Sequence, residues 1–82
     1  MNLLQGKVAV ITGAGRGIGK TIALTFAAEG CDIAFTDLII NEMVEETRAE
    51  ISALGVKVIA YPANAASYED TQNVIAKIMD DF

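Results

Sequence analysis

Val8-Ala9-Val10-Ile11-Thr12-Gly13-Ala14-Gly15-Arg16-Gly17-Ile18-Gly19 is the stretch that decides the architecture of this chain. An apolar, β-branched run enters a glycine-rich turn, and the turn opens a helical pattern. Glycines at the end of a strand let backbone come close to a ligand. The helix that follows offers unpaired N–H groups and the positive end of its dipole. The combination suits a pyrophosphate.

Working outward, strand and helix patterns alternate. Lys7–Thr12 reads as a buried strand without polar interruption. Arg16–Glu29 reads as a helix with Ile18, Ile22, Ala23, Phe26 and Ala27 at helical spacing, stopped by Gly30. Asp32–Thr36 is a second strand. Asn41–Leu54 is a second helix, with Asn41 as N-cap, Gly55 as C-cap signal, and Met43, Val44, Thr47, Ile51 and Leu54 on its inner face. Val56–Tyr61 is a third strand, ended by Pro62. Ser67 caps a third helix in capping-box style with Asp70, and Val74, Ile75, Ile78 and Met79 form its buried stripe. Right-handed crossovers turn this β-α-β-α-β-α pattern into a parallel sheet of order 3-2-1. That is the first half of a doubly wound, Rossmann-type α/β sheet. Residues 1–82 read as one cofactor-binding unit with no second domain. Its first strand would present a free apolar edge, so the chain is expected to be a fragment.

Composition narrows the function classes. At 82 residues, 52% hydrophobic and 21% charged, the chain is globular. A net charge of −5 argues against nucleic acid or an anionic membrane surface as partner. The longest strand-like apolar run is far short of a membrane span, and no cationic lead with an apolar stretch marks a signal peptide. A single cysteine, Cys31, fits a reducing, cytoplasmic setting and packs as a small hydrophobe. With no histidine and one cysteine, no metal site is expected. The acidic run Glu42, Glu45, Glu46 and Glu50 reads as a solvated helix face with Arg48 available for pairing.

The glycine spacing is specific. The general G-x-G-x-x-G fingerprint fails, because Ile18 or Lys20 stands where the third glycine should fall. Thr12-Gly13-Ala14-Gly15-Arg16-Gly17-Ile18-Gly19 fits T-G-x-x-x-G-x-G instead. This turn resembles that of the short-chain dehydrogenase/reductase family, with the bacterial 3-oxoacyl-(acyl-carrier-protein) reductases as the branch it is most similar to. The resemblance runs from Gly6 through Asp37 to Ala63-Asn64-Ala65, so it covers essentially the whole chain.

Gly13 permits the tight turn, Gly19 lets the helix pack closely on the sheet, and Gly15 and Gly17 leave N–H groups free to face phosphates. Arg16, Ile18, Leu38 and Ala65 complete the candidate cofactor-binding set. Asp37 follows the second strand, where its carboxylate can accept from the adenosine ribose hydroxyls and repel a 2′-phosphate. It reads otherwise as a solvated turn aspartate. Asp37 favours NAD. Arg16, a basic residue in the turn, is associated with NADP in the resembled family and leaves that cofactor open. Asn64 stands where the resemblance implies contact with adenine, and reads equally as a turn asparagine after Pro62.

The resemblance implies catalysis by a tyrosine, a lysine four residues later and a serine upstream. Tyr61 and Tyr68 are followed at that distance by Ala65 and Gln72, so no catalytic residue is carried over. These residues alone are expected to be inactive. The parent implied is an NAD(P)-dependent oxidoreductase of 3-oxoacyl groups on an acyl-carrier protein, in fatty acid biosynthesis, and a homo-oligomer. Two alternatives stand beside it. Gly13-Ala14-Gly15-Arg16-Gly17 also reads as the G-x-G-x-G of an S-adenosylmethionine-dependent methyltransferase, although Ile11 stands where that class places an acid. The other is a non-catalytic fragment that self-associates through its free strand edge.

Overall fold

The computed structural model describes residues 4–13, 17–64 and 67–82. Six elements alternate: β1 (Val8–Thr12), α1 (Gly17–Ala28), β2 (Asp32–Asp37), α2 (Glu42–Ser52), β3 (Val58–Pro62) and α3 (Tyr68–Asp81). The strands form one parallel sheet in the order β1-β2-β3. Register runs from Val8 opposite Asp32 to Thr12 opposite Thr36, and from Ile33 opposite Val58 to Asp37 opposite Pro62.

The two crossovers run in the same direction, so α1 and α2 share one face of the sheet. There Ala23, Ala27, Val44 and Ile51 bury Ile33 and Phe35 of the central strand. On the other face, Val74 and Ile78 of α3 cover Ala34 and Tyr61. Large residues of β2 therefore point to the two-helix layer and small ones to α3.

Several faces differ from the sequence reading. β1 is half-buried: Ala9 and Ile11 pack into the core, while Val8 and Val10 are 42% and 55% exposed. The reason is that α3 packs on β2 and β3. A hollow of about 100 Å³, lined by Val10, Thr36, Val74, Ile75 and Ile78 among others, separates it from β1. In α1 only Ala23 and Ala27 are buried, whereas Ile18, Ile22 and Phe26 are exposed. In α2 Met43 lies outside the buried trio Val44, Thr47 and Ile51, Leu54 falls beyond the helix end and is exposed, and in α3 Ile75 and Met79 are exposed.

Boundaries also shift. α2 ends at Ser52 with Ala53 as its C-cap, and the positive-φ Gly55 follows two residues later. β3 includes Pro62, which is tolerated because Ala63 makes the next bond to β2 and the proline nitrogen faces the sheet edge. The Arg48–Glu45 pair forms at 3.0 Å, and Lys20 bridges α1 to Glu50 of α2 at 2.9 Å. Both pairs are solvent-exposed and contribute little.

The far end of α3 is latched to β3. The buried Tyr61 hydroxyl donates to Asp81 Oδ2 at 2.7 Å, Lys57 Nζ donates to the Asp81 carbonyl, and the same ammonium lies over the Phe82 ring. Burial, then the Asp81 carboxylate, raises the Tyr61 pKa above its ordinary value near 10. The folded pKa exceeds the unfolded one, so this contribution is complete below pH 10 and is lost as pH rises beyond it. Tyr61→Phe is expected to cost about 1.5–3 kcal/mol at neutral pH, the range for a bond to a charged group. Its melting temperature should also fall less steeply than wild type from pH 10 to 11. Parallel alkaline profiles would remove Tyr61 as the cause. Cys31 is buried with its thiol pKa raised, first by desolvation, consistent with a packing role.

Candidate dinucleotide-binding site

The site is built where the three strands end side by side. β1 stops at Thr12, and the Gly13 N–H donates to the Thr36 carbonyl at 2.7 Å. The Ala63 N–H donates to the Asp37 carbonyl at 2.8 Å. Gly13, Asp37 and Asn64 thus leave the same edge of the sheet in adjacent positions. Gly15, Arg16 and Ala65 lie outside the described residues.

Gly13 and Gly17 both occupy the left-handed region, with φ of +67° and +65°. A Cβ added at either would meet nothing within 4 Å. Glycine is needed there for backbone conformation, and no described residue fills the space beside it. The sequence reading gave the turn to Gly13 and missed this requirement at Gly17, which is the first residue of α1. Gly17→Ala is expected to destabilise the protein by about 1–2 kcal/mol and to weaken dinucleotide binding, measured by urea unfolding and fluorescence titration. Wild-type values in both would show that alanine is accommodated at this φ.

The start of α1 fits an anion. Its first turn holds no acidic residue, whereas α2 starts with Glu42 and Glu45 and α3 with Glu69 and Asp70. Those carboxylates offset the positive ends of their own helices. The N-terminus of α1 has no such offset. Gly19 is half-buried in this first turn, and Ile18 is 81% exposed on the open side.

At the end of β2, Asp37 is half-buried and its Oδ1 accepts the Leu38 N–H at 2.8 Å. A carboxylate has about four lone-pair sites, so capacity remains for a vicinal diol. Leu38 and Ile39 follow with 64% and 66% of their surface exposed, an apolar rim beside the carboxylate. Ile39 was not singled out by sequence, because an exposed apolar residue in a loop carries no periodic signal.

Asn64 is held by the start of α3. Its carbonyl accepts the Ser67 N–H at 2.9 Å, and its N–H donates to Asp70 Oδ2 at 3.1 Å. Ser67 caps α3 as expected, with Oγ accepting the Asp70 N–H at 3.2 Å. The reciprocal half of the capping box does not form. Ser67 N–H is already taken by Asn64, so the Asp70 carboxylate reaches back to Asn64 instead.

This arrangement has close counterparts. The family model described as short chain dehydrogenase matches residues 7–82. Cyclohexanol dehydrogenase from Acinetobacter sp. (strain SE19) is 40% identical over 81 residues, covering 99% of this chain and 32% of that protein. The 3-oxoacyl-(acyl-carrier-protein) reductase of Staphylococcus aureus (strain MW2) is 38% identical over 76 residues, covering 93% of this chain and 31% of that protein. Among solved structures, NAD+-bound xylitol dehydrogenase aligns with a TM-score of 0.90 at 33% identity, over 96% of this chain and 30% of that one. The chain spans about a third of the length of these relatives. The sheet is Rossmann-like, and by the extent of the match the chain belongs to the short-chain dehydrogenase family.

Proposed function

We propose that residues 1–82 form the NAD-binding half of an oxidoreductase. The observation that carries the reading is the alignment of the Gly13 turn, the uncompensated α1 N-terminus and the Asp37 carboxylate along one sheet edge. In this reading the turn and the first turn of α1 bind the pyrophosphate, with Gly15, Arg16, Gly17 and Gly19 in contact or in support. Asp37 accepts from the adenosine ribose, and Leu38, Asn64 and Ala65 surround the adenine. Ile18 faces the nicotinamide side. The bound dinucleotide would supply hydride; the residues here bind and orient it.

Asp37 supports NAD over NADP, since a carboxylate at the ribose opposes a 2′-phosphate. For the whole protein we propose reduction of a 3-oxoacyl thioester on an acyl-carrier protein, in line with the resemblance of Gly6–Gly19 and the 38% identity to the staphylococcal reductase. The test is direct. The full-length protein is titrated with NADH and NADPH, then assayed by loss of NADH absorbance with 3-oxoacyl thioesters, and in reverse with cyclohexanol and sugar alcohols. Turnover of the thioester supports the proposal. Turnover of alcohols alone keeps the NAD site and replaces the substrate. Binding of neither dinucleotide removes the reading altogether.

A further inference from the structure

We propose that Asp70 is a positioning residue for the adenosine end of the dinucleotide site, acting through the backbone of Asn64. The proposal rests on the reading of the Gly13–Asp37–Asn64 edge as that site.

Asn64 is fixed at both of its peptide groups by the first turn of α3. Its N–H is held by Asp70 Oδ2 and its carbonyl by the Ser67 N–H. The preceding residue, Ala63, is tied through its N–H to the carbonyl of Asp37. The two side chains assigned to adenosine, Asp37 and Asn64, therefore sit on one short hydrogen-bonded run from the end of β2 to the start of α3. Among the described residues of that run Asp70 adds a second carboxylate to that of Asp37, and it bonds a loop residue six positions back. The helix does not need this bond for its cap. Ser67 Oγ already accepts the Asp70 N–H, just as Asn41 Oδ1 caps α2 by accepting the Val44 N–H, where the third helical position carries no carboxylate. The Asp70 carboxylate thus acts on the loop.

Removing that acceptor frees the Asn64 N–H and lets the peptide plane rotate. Adenine contacts loosen while the pyrophosphate turn, built on Gly13 and Gly17, is untouched. Asparagine at position 70 keeps an acceptor oxygen and should restore most of the effect.

The experiment uses the full-length protein with Asp70→Ala, Asp70→Asn and Asn64→Ala, alone and with Asp70→Ala combined with Asn64→Ala. NADH and reduced nicotinamide mononucleotide, which lacks the adenosine, are titrated by fluorescence. Asp70→Ala is expected to raise the Kd for NADH about five- to tenfold, the size of one hydrogen bond. Asp70→Asn should change it less than about twofold on the same scale. The mononucleotide Kd should be unchanged in every variant, and the double variant should be no weaker than Asn64→Ala, because both changes act through one contact. Wild-type NADH affinity in Asp70→Ala, even with a lowered melting temperature, overturns the proposal and leaves Asp70 as a helix-start residue. An equal loss for NADH and mononucleotide also overturns it, since the effect then lies outside the adenosine end. A wild-type protein that binds no NADH overturns the site reading first, before any variant is compared.

Discussion

Asp37→Ala is expected to weaken NADH binding about ten- to a hundredfold and to erase most of the discrimination against NADPH. The first effect follows from the loss of hydrogen bonds to a charged acceptor, each worth about 1.5–3 kcal/mol, with 1.4 kcal/mol per tenfold. The second follows from charge. Two unit charges 4 Å apart interact by about 1 kcal/mol in water and about 4 kcal/mol near a protein surface. A 2′-phosphate beside the Asp37 carboxylate meets that repulsion, and alanine removes it. Asp37→Asn separates the two terms, since it keeps one acceptor oxygen but not the charge. It should improve NADPH binding while costing NADH less than alanine does. The structural cost of either change is small, because the bond that the Asp37 side chain accepts from the Leu38 N–H is exposed and water can replace it. Titration of both dinucleotides against wild type and the two variants measures this. Unchanged affinities for both cofactors would take Asp37 out of the site.

The fold was legible because two periodicities change places along the chain. Apolar, β-branched segments at Val8–Thr12 and Asp32–Asp37 alternate with helical spacing in α1, α2 and α3, and glycines mark the joins. What the pattern could not show is which apolar residues find cover within the described residues. Ile18, Ile22, Phe26, Ile75 and Met79 have the spacing of a buried stripe, yet Ala23, Ala27, Val74 and Ile78 make the contacts with the sheet. Periodicity identifies a face to within a turn or so. The small side chains at Ala23 and Ala27 let α1 approach the sheet, and this directs burial to their side of the helix.

The geometry of the candidate site was legible to a similar depth. Gly13 and Asp37 could be placed by spacing alone, because a strand end and a fixed offset determine where they sit. The left-handed φ at Gly17 depends on how the turn enters the helix. The Asp70–Asn64 bond depends on a loop folding back on a helix start, which separates partners six residues apart by no repeating rule. The missing first-turn acid in α1 was available in the sequence as Gly17-Ile18-Gly19-Lys20, and gains meaning only beside the acidic first turns of α2 and α3.

Phe35→Ala is expected to cost about 3–5 kcal/mol, the range for truncating a buried phenylalanine. Phe35 lies mid-strand in β2, is 0% exposed, and sits in the cluster formed by Ala23, Ala27, Ile33, Val44 and Ile51. The cost should fall near the upper end, because the cavity opens under two helices that are already braced by small residues and cannot close on it. A loss of that size is a large share of the roughly 5–15 kcal/mol that stabilises a typical domain. Met43→Ala provides the contrast on the same layer. Both residues were apolar positions by pattern, but Met43 is 49% exposed on α2, and its truncation should cost about 0.5 kcal/mol or less. Urea unfolding of the two variants reads the difference directly. Equal losses would mean that the α2 face has been assigned wrongly. A small loss for Phe35→Ala would mean that the layer beneath α1 and α2 is not the core. The consequence for function follows from position: Phe35 and Asp37 share β2 two residues apart, so both side chains point to the same side of the strand. The strand end is nevertheless held by backbone bonds from Gly13 to Thr36 and from Ala63 to Asp37, so among molecules that remain folded Phe35→Ala should keep its NADH affinity, and saturating NADH should raise its unfolding midpoint by mass action.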